Sequence, residues 1–331
     1  MIIKDTLKKN DTIRRIVKKY KIKKEFLLDY KDFIEYYNDS QNETIKTIEY
    51  KILLIVHSLE KGMCHSNLRP FGEKKIEELI ALLKKHLTMT SETSSSYQMG
   101  LSIIDKWIEI YDINNFEKET AYQNAVSFMK EHNNDINKNI RVGAYEYKYN
   151  EFKESNINDY CGFLKSRHSI REFSDKALKK EDLDYCINSA LLSPTACNRQ
   201  MVKIYLIKEK NKKDHLNNII MGLSGFEKKN INFFVVTFDI SAFSFYGERN
   251  QGYFNSGLVA MNFVNALHCK NIGSCFLQWG NTYSEESETK KILGIPKNER
   301  IAVIIAAGYY KDKTRIPFSQ RKSKEEIYLE I

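Results

Sequence analysis

The chain has 331 residues, a net charge of +9 from 52 Lys and Arg against 43 Asp and Glu, and a 42% hydrophobic content that includes 12% aromatic residues. That length exceeds one ordinary domain and fits a large core plus an extension. The longest apolar runs, 233–238 and 301–307, are strand length, which argues against a spanning helix; with no opening apolar segment resembling a signal peptide, the expectation is a cytoplasmic protein.

Residues 1–24 hold ten lysines and arginines against Asp5 and Asp11, while the rest of the chain is nearly neutral. Ile3, Leu7, Ile13, Ile16, Val17 and Tyr20 fall on one side of a helix there, so this stretch could make weak peripheral contact with a membrane. A solvated helix, or one packed on its own domain, is the plainer expectation. No zinc finger or RNA-binding aromatic motif follows, so the charge carries no nucleic-acid assignment.

From Ser40 to Gly62 the sequence reads as a helix: Ser40–Glu43 resembles a capping box, Ile52, Leu53, Val56 and Leu59 share one face, and Gly62 stops it. Further helical patterns run over 73–86, 97–111 and 117–131, with 91–96 as a polar connector, so the first part reads as all helix. His57, Glu60, Cys64 and His65 lack the spacing of a zinc set. A polar junction near 144–158 divides residues 1–150 from residues 151–331. Beyond it lie helices near 180–192 and 250–269 and short apolar runs at 202–207, 233–238 and 301–307 that suit central strands. Pro194 ends the 180–192 helix and places 195–200 in a loop. The six cysteines, at 64, 161, 186, 197, 269 and 275, form no Cys-x-x-Cys pair and read as reduced thiols.

The most informative stretch is Arg167-His168-Ser169-Ile170-Arg171-Glu172-Phe173, which sets two guanidinium groups and a hydroxyl two residues apart. Arginine offers a planar fork of donors suited to phosphate and anionic ring edges. It is followed by Ser193-Pro194-Thr195-Ala196-Cys197-Asn198-Arg199-Gln200, by Ile272–Gly280, and by Arg321-Lys322-Ser323-Lys324-Glu325-Glu326-Ile327. In that order the four segments resemble the nitroreductase family of FMN-dependent oxidoreductases, from about Asn156 to Ile331. His57–Gly62 with Arg69-Pro70-Phe71-Gly72 is similar to an N-terminal extension found in a subgroup of these proteins associated with surface-polysaccharide biosynthesis.

The resemblance implies an α+β fold, a mixed or antiparallel central sheet flanked by helices, preceded by the helical N-terminal region. It implies an FMN site built by two chains, hence a homodimer. Arg167, Ser169 and Arg321 are assigned to the phosphate and ribityl chain, with His168 in the same segment and Lys322 secondary. Arg171 is assigned to the edge of the ring where reduction places negative charge, or to the ribityl oxygens. Pro194, Thr195, Asn198 and Gln200 would approach the ring across the subunit boundary, and Gln278, Trp279 and Gly280 would present the strand end to it. Two departures stand out: Gln200-Met201-Val202 lacks an aromatic residue common in the family, and 246–251 falls in its most variable region, where it should form substrate wall. No Gly-x-Gly-x-x-Gly site is present, so NAD(P)H would bind transiently over the flavin and pass hydride through it to a small-molecule acceptor such as a nitroaromatic, quinone or enone. The alternatives are a flavin-dependent step in surface-polysaccharide modification and a non-catalytic flavin-binding scaffold.

Overall fold

The computed structural model describes residues 11–36, 43–63, 68–132, 136–137, 140–144, 160–223, 226, 230–244, 246–312, 324 and 328–331. Five helices come first: α1 (Asp11–Tyr36), α2 (Ile45–Met63), α3 (Glu73–Met89), α4 (Ser95–Ile113) and α5 (Thr120–His132). After them come α6 (Tyr160–Ser166), α7 (Lys180–Leu191), β1 (Val202–Ile207), α8 (Lys210–Ile219), β2 (Asn232–Asp239), α9 (Gln251–Cys269), β3 (Ile272–Leu277), α10 (Tyr283–Leu293) and β4 (Glu299–Tyr309). This is the nitroreductase-like α+β arrangement, with a helical region ahead of a four-stranded antiparallel sheet in the order β1-β2-β4-β3.

Helices α2 to α5 close around one apolar core, in which Ile52, Leu59, Ile76, Leu83, Tyr97, Ile104 and Trp107 are fully buried. Ser40–Glu43 lies largely outside the described residues; the start of α2 is instead held by Thr44 and Thr47, each backbone N–H donating to the other's hydroxyl at 2.8 and 3.2 Å. The motif at 57–72 is explained by packing. A Cβ on Gly62 would fall 2.6 Å from the Phe71 ring, and Gly72 adopts a left-handed φ of 82°. Trp107 and Tyr111 both donate to the Phe71 carbonyl. His57 Nδ1 lies 3.7 Å from Glu60, and Cys64 and His65 lie outside the described residues.

The sheet's side chains alternate between two cores, as period-two strands must. Phe233 and Val235 of β2 meet Leu216 of α8, Leu293 of α10 and Ile304 of β4; Phe234 and Val236 meet Ala190 of α7 and Phe263 and Leu267 of α9. At the end of the sheet formed by Val202, Phe238 and Arg300, the N-terminal helices join the sheet. Tyr50 of α2 is buried with Met201, Phe238, Ile240 and Phe243, and its hydroxyl donates to Asp239 at 3.2 Å. Phe33 and Tyr36 of α1 pack on the same cluster. Helix α1 is fixed by charge as well: Arg300 donates to Asp29 at 2.7 Å, the Tyr283 N–H donates to Glu25 at 2.7 Å, and the Tyr283 hydroxyl donates to buried Asp32. Burial is the leading influence on Asp32 and raises its carboxyl above the usual range.

Candidate functional site

The segment Arg167–Phe173 leaves α6 and lies directly on the sheet. Ser169 bridges to Ser274 at the free edge of β3, and the Ile170 N–H donates to the Ser274 carbonyl at 2.9 Å. The segment then reaches the end of β4, where Ser174 donates to the Tyr309 carbonyl at 2.9 Å. Two glycines paired across the strands make the close approach: a Cβ on Gly273 would sit 2.9 Å from Ile170 Cβ, and one on Gly308 2.6 Å from Phe173 Cβ. Ile170 and Phe173 are buried there, while Arg167, His168, Ser169 and Arg171 remain half-buried.

Arg167, Ser169 and Arg171 all act on Cys275 of β3. Burial pushes the Cys275 thiol up, and Arg171, the Ser169 hydrogen bond and Arg167 pull against it. Arg171 donates to the Ser169 carbonyl at 3.3 Å and lies 5.8 Å over the Phe226 ring. Among the described residues neither Arg167 nor Arg171 has a carboxylate partner, although both are half-buried. Arg167 and His168 also act on His268, whose ring nitrogens meet Ser166 Oγ at 2.7 Å and the Tyr310 hydroxyl at 2.9 Å; burial first, then those charges, holds it below its ordinary value.

Gln278, Trp279 and Gly280 follow the end of β3 on this same side. The Gln278 N–H faces Gly222, whose Cβ position would lie 3.7 Å away, and Gly280 faces the Met221 side chain. The Trp279 indole donates to Glu286 at 3.2 Å and packs on the core beneath the sheet.

The remaining loop lies elsewhere. Pro194, Thr195, Asn198 and Gln200 precede β1, the opposite edge of the sheet, at the same end as Gln278. Three strand spacings separate the two edges, roughly 14 Å. Thr195 and Gln200 border a cavity of about 130 Å³ with Ile187, Leu191, Val202 and Val259. Cys197, Asn198 and Gln200 have φ of 51, 52 and 52°, three left-handed non-glycine residues within four positions. Each costs roughly 1 kcal/mol or more, so the surroundings must impose the shape.

Arg199 is what imposes it. It is 1% exposed, donates to the Ala196 carbonyl at 3.1 Å and to the Ala242 carbonyl, and pairs with both oxygens of Glu248. Asn255 of α9 holds the other side, accepting from the Ala196 N–H at 3.0 Å. The Arg199 guanidinium lies 5.4 Å over Phe243. Phe243 in turn lines a groove of about 600 Å³ with Phe26 and Tyr30 of α1, Phe238, Arg249 and Asn250. The variable segment 246–251 thus contributes the brace Glu248 and part of this groove wall. Arg321 and Lys322 lie outside the described residues.

Residues 164–237 and 241–309 match the model of the Nitroreductase family. That match spans less than half of the chain. A protein of Archaeoglobus fulgidus bearing the description NADH dehydrogenase/NAD(P)H nitroreductase is 25% identical over 151 residues, covering 45% of this chain and 83% of the relative. Among solved structures, an FMN-dependent nitroreductase from Clostridium difficile is 22% identical with a TM-score of 0.44, covering 51% of this chain and 98% of its own. A nitroreductase from Desulfovibrio desulfuricans in complex with FMN is 20% identical with a TM-score of 0.44, covering 52% of this chain and 95% of its own.

Several residues that shape this site escape a reading of motifs. Gly273 and Gly308 were detectable only once their strands were paired. Cys275 is marked by the two arginines around it, and Arg199 by following two residues in left-handed conformation. Glu248 and Asn255 are distant in sequence and carry no local signal.

Proposed function

We propose that the chain is an FMN-dependent oxidoreductase that takes hydride from NAD(P)H and passes electrons to a small organic acceptor. The observation that carries this reading is the seating of Arg167–Phe173 along the edge of β3, beside the strand end Gln278–Gly280, in a stretch that matches the Nitroreductase family model. The donor set fits the cofactor. Two half-buried guanidinium groups without a carboxylate among the described residues call for an anion, and a phosphate with a polar ring edge supplies one.

Bound FMN would supply reversible two-electron, hydride-accepting chemistry. The chain's own part is binding and electrostatics. Arg167 and Ser169 would hold the phosphate and ribityl oxygens, with Arg321 and Lys322 as further candidates. Arg171 would keep positive charge at the ring edge that becomes anionic on reduction, stabilising the reduced state. The main chain at Gln278–Gly280 would orient the ring. No side-chain nucleophile is needed.

Because the 194–200 loop stands at the far edge of the sheet, we assign Pro194, Thr195, Asn198 and Gln200 to the flavin site of a second copy, making the working unit a homodimer. Arg199 and Asn255 would then hold a surface presented to the partner. The resemblance of 57–72 to a polysaccharide-associated subgroup motivates trying glycan precursors as acceptors, although packing accounts for those residues in this chain.

Purified protein is expected to be yellow and to bleach with NADH or NADPH without oxygen, and Arg167→Ala should lose flavin. Colourless protein that cannot bind added FMN would sink the proposal. Bound flavin that nicotinamide reduces no faster than free FMN would leave a flavin carrier instead of an enzyme.

A further inference from the structure

We infer that α1 is a surface-docking helix for anionic phospholipid bilayers. It is one continuous helix over Asp11–Tyr36, and its second half is held to the body of the protein through Glu25, Asp29, Asp32, Phe33 and Tyr36. On its first half every residue from 11 to 21 is exposed except half-buried Ile13.

An exposed apolar stripe runs from Ile13 to Leu27. Ile13, Tyr20 and Leu27 recur every seven residues, with Ile16 and Val17 beside them. Tyr20 is 68% exposed, Ile16 61% and Leu27 55%. At 100° per residue, Leu27 points away from Asp29, two positions along. The side anchored to the body and the apolar side are therefore opposite, so the apolar stripe can meet a flat surface while the helix stays attached. Tyr30 and Ile34 instead line the groove under α1 with Phe26 and Phe33.

Charge selects the occupant. Arg14, Arg15, Lys18, Lys19, Lys21, Lys23 and Lys24 stand against Asp11 in the first half, flanking the apolar residues on both sides. Apolar residues at the acyl boundary with a basic border at the phosphates is the arrangement of an interfacial helix, and one stretch of α1 supplies both. Each basic side chain at such a surface raises the binding constant roughly fivefold.

The test is cosedimentation of the full chain with phosphatidylcholine vesicles and with equimolar phosphatidylcholine and phosphatidylglycerol vesicles, at low and high salt. Binding should require the anionic lipid and weaken with salt. Replacing Lys18, Lys19, Lys21 and Lys23 together by Gln should lower it about six-hundredfold, and Ile16→Ser with Tyr20→Ser about tenfold. These side chains are exposed, so the circular dichroism of both variants should match the parent. No sedimentation with anionic vesicles overturns the inference. So does binding that needs the lysines but ignores the Ile16 and Tyr20 changes, the behaviour expected of a nucleic-acid surface. Self-association lost in the Ile16/Tyr20 variant, without vesicle binding, would overturn it in favour of a second copy of the chain.

Discussion

Arg199→Met is the sharpest test of the site architecture, because it removes a cation that is 1% exposed while keeping most of its volume. Breaking a buried ion pair from one side costs about 3–5 kcal/mol. Here Glu248 keeps the Ser244 N–H at 3.0 Å and its side chain is 13% exposed, which softens the loss. The carbonyls of Ala196 and Ala242 each lose a donor, which works in the other direction. The expected destabilisation is therefore about 3 kcal/mol, a large share of a typical total of about 5–15. Urea denaturation of the parent, Arg199→Met, Glu248→Leu and the double variant forms a complete cycle. The double variant should be more stable than Arg199→Met alone, since no carboxylate is then stranded. A loss under about 1 kcal/mol for Arg199→Met, or strictly additive single losses, would refute the role of Arg199 as the brace of the left-handed loop.

Gly273→Val should lift Arg167–Phe173 from the sheet, since the new Cβ alone would meet Ile170 Cβ at 2.9 Å; a loss of about 1–3 kcal/mol in thermal unfolding, with FMN affinity down about tenfold or more, is expected. Arg171→Gln removes the leading attraction opposing burial at Cys275, so that thiol should move further up and alkylate more slowly at fixed pH, followed by peptide mass; an unchanged rate would remove Arg171 from that point of the strand. For His268 the folded protein disfavours the proton: stability is fully present above the ordinary value of 6.5 and is lost as pH falls below it through the depressed folded value. Urea midpoints recorded across that window should decline in the parent and decline less in His268→Gln, and parallel curves would remove His268 as a source of the slope.

The sequence made the strongly patterned elements legible. The runs at 202–207, 233–238 and 301–307 became β1, β2 and β4, the latter two extended by a residue or two at each end. Helix α10 was missed although Thr282 and Glu285 form a reciprocal cap, and so was α8, whose only buried residue is Leu216. A polar helix resting on one buried side chain gives little periodicity to read. At the site, Arg167, Ser169, Arg171 and the strand end could be grouped because they sit on one edge of β3. The brace of the 194–200 loop could not, since Arg199, Glu248 and Asn255 meet only through tertiary folding. The basic opening was visible as charge, but its division into an anchored half and an outward half depends on Asp29, Asp32 and their partners on β4 and α10.

Tyr50 has a consequence for how the chain can be cut. Its ring completes the pocket of Met201, Phe238, Ile240 and Phe243, and its hydroxyl reaches Asp239. Excising the leading helices would bare that greasy shelf directly behind the 194–200 loop and remove the Tyr50 link from α2 to the strand end. The trailing half is thus a poor candidate for a stand-alone minimal enzyme: grafted onto another scaffold without α2, it would invite clumping and a slack loop rather than inherit the parent's behaviour.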